Sequence, residues 1–125
     1  MNGPKRILAI EDDAELSYLY QSFLTEEGYE VLLARDAYEA LRRLRDPPPD
    51  VILLDLMLPG ADGYTLLQEM RARPDLRDVP VIVVSASLPP NRYHVAGADA
   101  VVQKPFEFDR LLRTIQEVGH HTRIA

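Results

Sequence analysis

Val51-Ile52-Leu53-Leu54-Asp55 sets four apolar residues directly before a single carboxylate. The run is short, continuous and rich in branched side chains, the pattern of a strand buried on both faces of a parallel sheet covered by helices. Similar runs lie on either side of it. Ile7-Leu8-Ala9-Ile10 and Glu30-Val31-Leu32-Leu33-Ala34 precede it, Val79-Pro80-Val81-Ile82-Val83-Val84 follows, and Ala100-Val101-Val102-Gln103 is a weaker fifth.

The intervening segments carry helical spacing. Leu16, Leu19, Tyr20, Phe23 and Glu27 step at three and four residues, with Asp13 as N-cap and Gly28 as terminator. Ala37, Ala40, Leu41 and Leu44 form a second stripe capped by Asp36. Leu66, Leu67 and Met70 form a third, closed by Pro74, and Phe108, Leu111, Leu112, Ile115 and Val118 form another, closed by Gly119. Only Asn91 to Ala96 is available for a fourth helix, which is expected to be short or irregular. Pro47-Pro48-Pro49 reads as a short rigid connection. The β-α alternation, five times over, implies a parallel sheet with right-handed crossovers and helices on both faces. Ligands of such folds bind at the carboxyl ends of the strands.

The 125 residues fit one domain, 1–125, with a core of about 5–118 and a short tail from 119 to 125. The absence of cysteine excludes a disulfide framework and cysteine-ligated zinc. No apolar run is long enough to span a bilayer, and the first residues lack the apolar stretch of a secretory signal. A cytoplasmic protein without membrane contact is expected. The net charge of −6 opposes direct nucleic-acid binding.

The strand ends carry the chemistry. The first strand runs into Glu11-Asp12-Asp13, the third into Asp55, the fourth into Ser85 and the fifth into Lys104-Pro105. Two unit charges ~4 Å apart interact by ~4 kcal/mol at an effective dielectric near 20, so clustered carboxylates repel unless a cation joins them or one takes a proton. Lys104 neutralises one charge. The remainder suits a hard divalent cation, and Mg²⁺ takes one or two carboxylates plus waters and substrate oxygens. Taken singly, each residue has a plainer use. A strand-end aspartate often only caps a helix, as Asp13 is expected to do, and a loop serine often only bonds backbone. The argument rests on four strands delivering complementary groups to one edge. His120 and His121 follow Gly119 without metal-ligand spacing, and His94 falls in the irregular fourth helix; none is expected to be catalytic.

With these residues in view, the chain resembles the bacterial response-regulator receiver family. Ile7-Leu8-Ala9-Ile10-Glu11-Asp12-Asp13 is similar to the family's first strand and acidic cluster. Asp55-Leu56-Met57-Leu58-Pro59-Gly60-Ala61-Asp62-Gly63 is similar to its phosphoacceptor loop. Pro80-Val81-Ile82-Val83-Val84-Ser85-Ala86 resembles its fourth strand with the switch hydroxyl, and Gly97-Ala98-Asp99 leading to Lys104-Pro105-Phe106 resembles its last motif. The resemblance covers about residues 5 to 118. It implies a flavodoxin-like, doubly wound (βα)5 fold with strand order 2-1-3-4-5. It implies that Asp55 accepts a phosphoryl group from a histidine kinase or histidine phosphotransfer protein. Glu11, Asp12, Asp55 and the Met57 carbonyl would hold Mg²⁺, while Ser85 and Lys104 would bind the phosphoryl oxygens. A cis bond before Pro105 is a further family trait. The implied role is a signalling switch rather than an enzyme, working through a downstream protein partner, as a monomer or a phosphorylation-dependent homodimer.

The chain departs from the family twice. Val101 stands where an aromatic switch residue is usual, three positions before Lys104. Gly97 follows Ser85 by twelve positions, where the family has about three more, close to one helical turn. These departures leave open a receiver-like module that works without phosphorylation. A Mg²⁺-dependent aspartyl phosphohydrolase is a further alternative, but the second acid expected two positions after the nucleophile is Met57.

Overall fold

Within each central strand, neighbouring apolar residues serve opposite faces, because side chains alternate across a pleated strand. The computed structural model describes residues 5–44, 47–86, 88 and 95–120. In it β1 (Arg6–Ile10) pairs in parallel with both β2 (Glu30–Ala34) and β3 (Val51–Leu54). Strand β3 pairs with β6 (Val81–Ser85), and β6 with β7 (Ala100–Gln103). The sheet order is β2-β1-β3-β6-β7, the 2-1-3-4-5 arrangement of a flavodoxin-like sheet. Leu8, Ile10, Ile52, Leu54, Val81 and Val83 feed one core, whereas Ile7, Ala9, Val51, Leu53, Ile82 and Val84 feed the other.

Four helices cover the sheet among the described residues. α2 (Ala37–Arg43) and α3 (Gly63–Ala72) close the first core through Ala40, Leu66, Leu67 and Met70. α1 (Ala14–Glu26) and α4 (Phe108–His120) close the second through Tyr20, Leu24, Leu111, Ile115 and Val118. Carboxylates start three of them by accepting from orphan backbone N–H groups. Asp13 accepts from Glu15 N at 3.0 Å, Asp36 from Glu39 N at 2.8 Å and Asp62 from Tyr64 N at 3.0 Å. Gly28, at φ 96°, ends α1 in the left-handed region that a side chain would strain.

Several local expectations are corrected. α4 continues through Gly119 to His120, since its buried Val118 holds the last turn against the core. The inward side of α1 is Leu16, Tyr20 and Leu24, while Phe23 is 45% exposed and stacks on Phe108 with centroids 4.7 Å apart. The fourth strand begins at Val81, where pairing with β3 starts. A hairpin of β4 (Met57–Leu58) and β5 (Ala61–Asp62) follows β3, turning at Gly60 with φ 67°. The expected fourth helix falls mainly on residues 91–94, outside the described residues, and Val95 to Gly97 lead into a turn. Residues 121–125 of the expected tail, and His94 and His121, also lie outside them.

Candidate functional site

The parallel sheet brings the carboxyl ends of β1, β3, β6 and β7 to one edge. Strand pairing continues past the strands there. Glu11 N donates to Ala34 O at 2.9 Å, Asp55 N to Ile10 O at 3.1 Å and Lys104 N to Ser85 O at 3.1 Å. These backbone bonds fix where each functional side chain emerges.

Asp55 lies at the centre and is 6% exposed. Its Oδ1 accepts from Ser85 Oγ at 3.0 Å and from Met57 N at 3.0 Å. Its Oδ2 accepts from Lys104 Nζ at 2.9 Å. The same ammonium donates to Glu11 Oε1 at 2.7 Å, and Glu11 Oε2 accepts from Asp13 N at 3.1 Å. Asp12 is exposed beside them, and Glu11, Asp12 and Asp55 each offer an oxygen within 4.8 Å of the others. Asp55, Ser85, Lys104, Glu11, Asp12 and the Met57 backbone are thus gathered into one cluster, while the Met57 side chain points to solvent. The peptide bond between Lys104 and Pro105 is cis.

Burial pushes the Glu11 carboxyl above the usual carboxylate range, against the pull of Lys104 and the Asp13 N–H; the Asp55 charge adds to the rise. Burial works against the Lys104 ammonium, but its hydrogen bonds to Glu11 and Asp55 and their two charges outweigh it and raise its pKa. Lys104 therefore stays cationic at neutral pH. The donor set is all oxygen, half-buried and richer in negative charge than one ammonium can balance. That is the chemistry of a hard divalent ion such as Mg²⁺, so these residues fit the metal. A cleft of about 430 Å³ between α1 and the β7–α4 connection reaches Lys104, lined by Leu16, Leu19, Phe106 and Phe108 among others.

Two supporting residues escape the sequence reading. A Cβ on Gly63 would sit 2.5 Å from Leu56 Cα and 2.8 Å from the carbonyls of Asp55 and Leu56. Gly63 thus lets the start of α3 press against the acceptor loop; the Asp62-Gly63 pair signals a turn but not this close approach. Tyr20 is buried beneath the site, and burial with the charges of Glu11 and Asp55 raises its phenol pKa.

Residues 7–116 match the model of the response regulator receiver domain. The chain is 33% identical over 117 residues to the phosphate regulon transcriptional regulatory protein PhoB of Escherichia coli K12, covering 91% of this chain and 51% of that protein. It is 31% identical over 116 residues to the polar-differentiation response regulator DivK of Brucella anthropi, covering 90% of this chain and 94% of DivK. The chain thus spans about half of PhoB and nearly all of DivK. The receiver domain of sensor histidine kinase PA1611 from Pseudomonas aeruginosa, solved with a magnesium ion in its active-site cleft, superposes with a TM-score of 0.85. That domain is 32% identical, and the match covers 95% of this chain and 100% of the domain.

Proposed function

The chain belongs to the response regulator receiver family of two-component signalling, and on that premise we propose that Asp55 is its phosphoacceptor. The observation that carries this reading is the environment of one carboxylate. Asp55 is nearly buried, directly follows the central strand β3, and touches both a hydroxyl and an ammonium.

Glu11, Asp12, Asp55 and the Met57 carbonyl would hold Mg²⁺. Bound there, the ion would supply positive charge against the oxygens of the transferring phosphoryl group. Asp55, ionised, attacks phosphorus with a carboxylate oxygen as the bond from phosphorus to the donor histidine nitrogen breaks. Ser85 turns its hydroxyl from Asp55 Oδ1 to a phosphoryl oxygen, and Lys104 pairs with another. The product carries nearly one more negative charge than the carboxylate, judged from phosphate monoesters. That charge draws Ser85 and Lys104 inward and biases the loops attached to them. The donor is a histidine kinase or a histidine phosphotransfer protein, and the output is a change in protein contacts rather than turnover of a substrate. The acidic balance argues against direct nucleic-acid binding. Among the described residues no helix is long and apolar enough to cross a membrane.

Incubation with a small-molecule phosphoryl donor, read by intact mass, tests the proposal. A gain of one phosphoryl group that requires Mg²⁺ and vanishes in Asp55→Asn is expected. A second reading, an interaction module that works without phosphorylation, draws on Val101, which packs against the core where the family has a mobile aromatic. It would gain from a folded, Mg²⁺-binding protein that takes no phosphoryl group from the small donor or from any histidine donor.

A further inference from the structure

The opposite end of the sheet carries a polar cluster that phosphoryl chemistry does not touch. Arg71, in the last turn of α3, donates from Nε to Gly97 O at 2.8 Å, and from Nη1 to Arg77 O at 3.0 Å and Val79 O at 2.7 Å. Its Nη2 pairs with Asp99 Oδ2 at 2.9 Å, with both side chains largely buried. Asp99 in turn grips both backbone groups of Val81. Its Oδ2 accepts from Val81 N at 2.8 Å, and its own N donates to Val81 O at 2.8 Å.

Val81 is the first residue of β6, and Asp99 immediately precedes β7. From there the ladder runs Ile82 with Ala100, Val83 with Val101, Val84 with Val102 and Ser85 with Gln103. It ends where Lys104 N donates to Ser85 O. The Arg71–Asp99 pair therefore pins one end of the ladder that presents Ser85 and Lys104 at the other, roughly 13 Å away at the rise of a strand. The ladder needs a pin. Among the described residues β7 is an edge strand of four residues whose one sheet neighbour is β6. Its sequence, Ala100-Val101-Val102, offers apolar side chains to both faces, so a slip by one residue would still bury a valine on each. Side-chain pattern specifies register weakly in such a strand, and a one-residue slip turns every side chain to the other face. Lys104 would then leave Asp55.

We propose that Arg71 and Asp99 are positioning residues for phosphoryl transfer, acting through the register of β6 and β7 on Ser85 and Lys104. The proposal rests on the reading of Asp55 as acceptor. It separates two functions of the site: Glu11, Asp12 and Asp55, which would hold the metal, follow β1 and β3, whereas of the phosphoryl-binding pair Ser85 ends β6 and Lys104 follows β7.

The test compares wild type, Asp99→Ala, Asp99→Asn and Arg71→Gln in the full chain, at a temperature where each is folded by circular dichroism. Calorimetry measures Mg²⁺ affinity, and then affinity for beryllofluoride, a phosphoryl mimic, at saturating Mg²⁺. Asp99→Ala and Arg71→Gln should bind Mg²⁺ at least as well as wild type and beryllofluoride ~10-fold more weakly or worse, the size of losing one hydrogen bond to a charged group. Asp99→Asn should retain most of the beryllofluoride affinity, because its side-chain oxygen still accepts from Val81 N. Arg71→Gln carries the comparison if Asp99→Ala does not fold. Unchanged beryllofluoride affinity overturns the proposal. So does a parallel loss of both affinities, which marks a merely structural pair, or a loss in Asp99→Asn as deep as in Asp99→Ala. Wild-type protein that binds Mg²⁺ but no beryllofluoride would instead remove the phosphoacceptor reading and this proposal with it.

Discussion

Lys104 shows how a single side chain holds two like charges together before any phosphoryl group arrives. Its ammonium bridges Glu11 at 2.7 Å and Asp55 at 2.9 Å. A lysine whose pKa is raised on folding contributes stability that is fully present below its unfolded value of 10.5 and is lost as pH rises through the higher folded value. The bridge therefore acts throughout the neutral range. In Lys104→Met the two carboxylates face each other without a cation, and at pH 7 in metal-free buffer the folded state should lose about 3 kcal/mol. As pH falls toward 5, the Glu11 carboxyl, which burial already pushes up, takes a proton and the deficit should shrink. Urea unfolding at both pH values measures it, and an equal deficit at both would contradict the account. Asp55, Ser85 and Lys104 were legible as residues because each ends a recognisable apolar run. Their mutual bonds were not, since a 49-residue separation between Lys104 and Asp55 closes only when the sheet forms.

Elements place these residues, and the junction of β3 with α3 is the tightest of them. Gly63 N donates to Leu56 O at 3.0 Å, drawing the first turn of α3 onto the loop that carries Asp55. In Gly63→Ala the new methyl would meet backbone atoms, which cannot rotate away as a flexible side chain would. A loss of about 1–3 kcal/mol in stability is expected, as for other overpacked sites. Phosphoryl incorporation per folded molecule should also fall, because the strain acts on the acceptor loop itself. Denaturant titration paired with intact mass checks both, and full stability with full incorporation would show that the loop gives way easily. Element positions followed from apolar runs and capping carboxylates, and Asp13 and Asp36 cap as their sequence positions indicate. Less was legible where local preference competes with tertiary contact. Gly119 reads as a helix terminator, yet the burial of Val118 carries α4 past it. The β4–β5 hairpin has too few residues to show a period of two.

At the scale of the whole molecule, one sheet edge gathers the charged chemistry while two apolar cores hold the strands in place. A ligand that binds only the folded state stabilises it by mass action, by about 2.7 kcal/mol at one hundred times its dissociation constant. Saturating Mg²⁺ should accordingly raise the unfolding temperature. The rise should be largely lost in Asp12→Asn, whose exposed carboxylate has no other charged partner to replace among the described contacts. Scanning calorimetry with and without Mg²⁺ reads the difference, and an equal rise in the variant would place the ion elsewhere. The sequence by itself determined the alternation of strands and helices, the parallel sheet, and the four strand ends that bear Glu11, Asp55, Ser85 and Lys104. Burial on both faces writes continuous apolar runs, and each run stops where the chain reaches solvent. Only the tertiary structure decided which oxygen bonds which donor, how closely Gly63 approaches Leu56, and that Arg71 and Asp99 pin the far end of β6 and β7. These depend on distances between segments remote in the chain, which packing sets and no local pattern encodes.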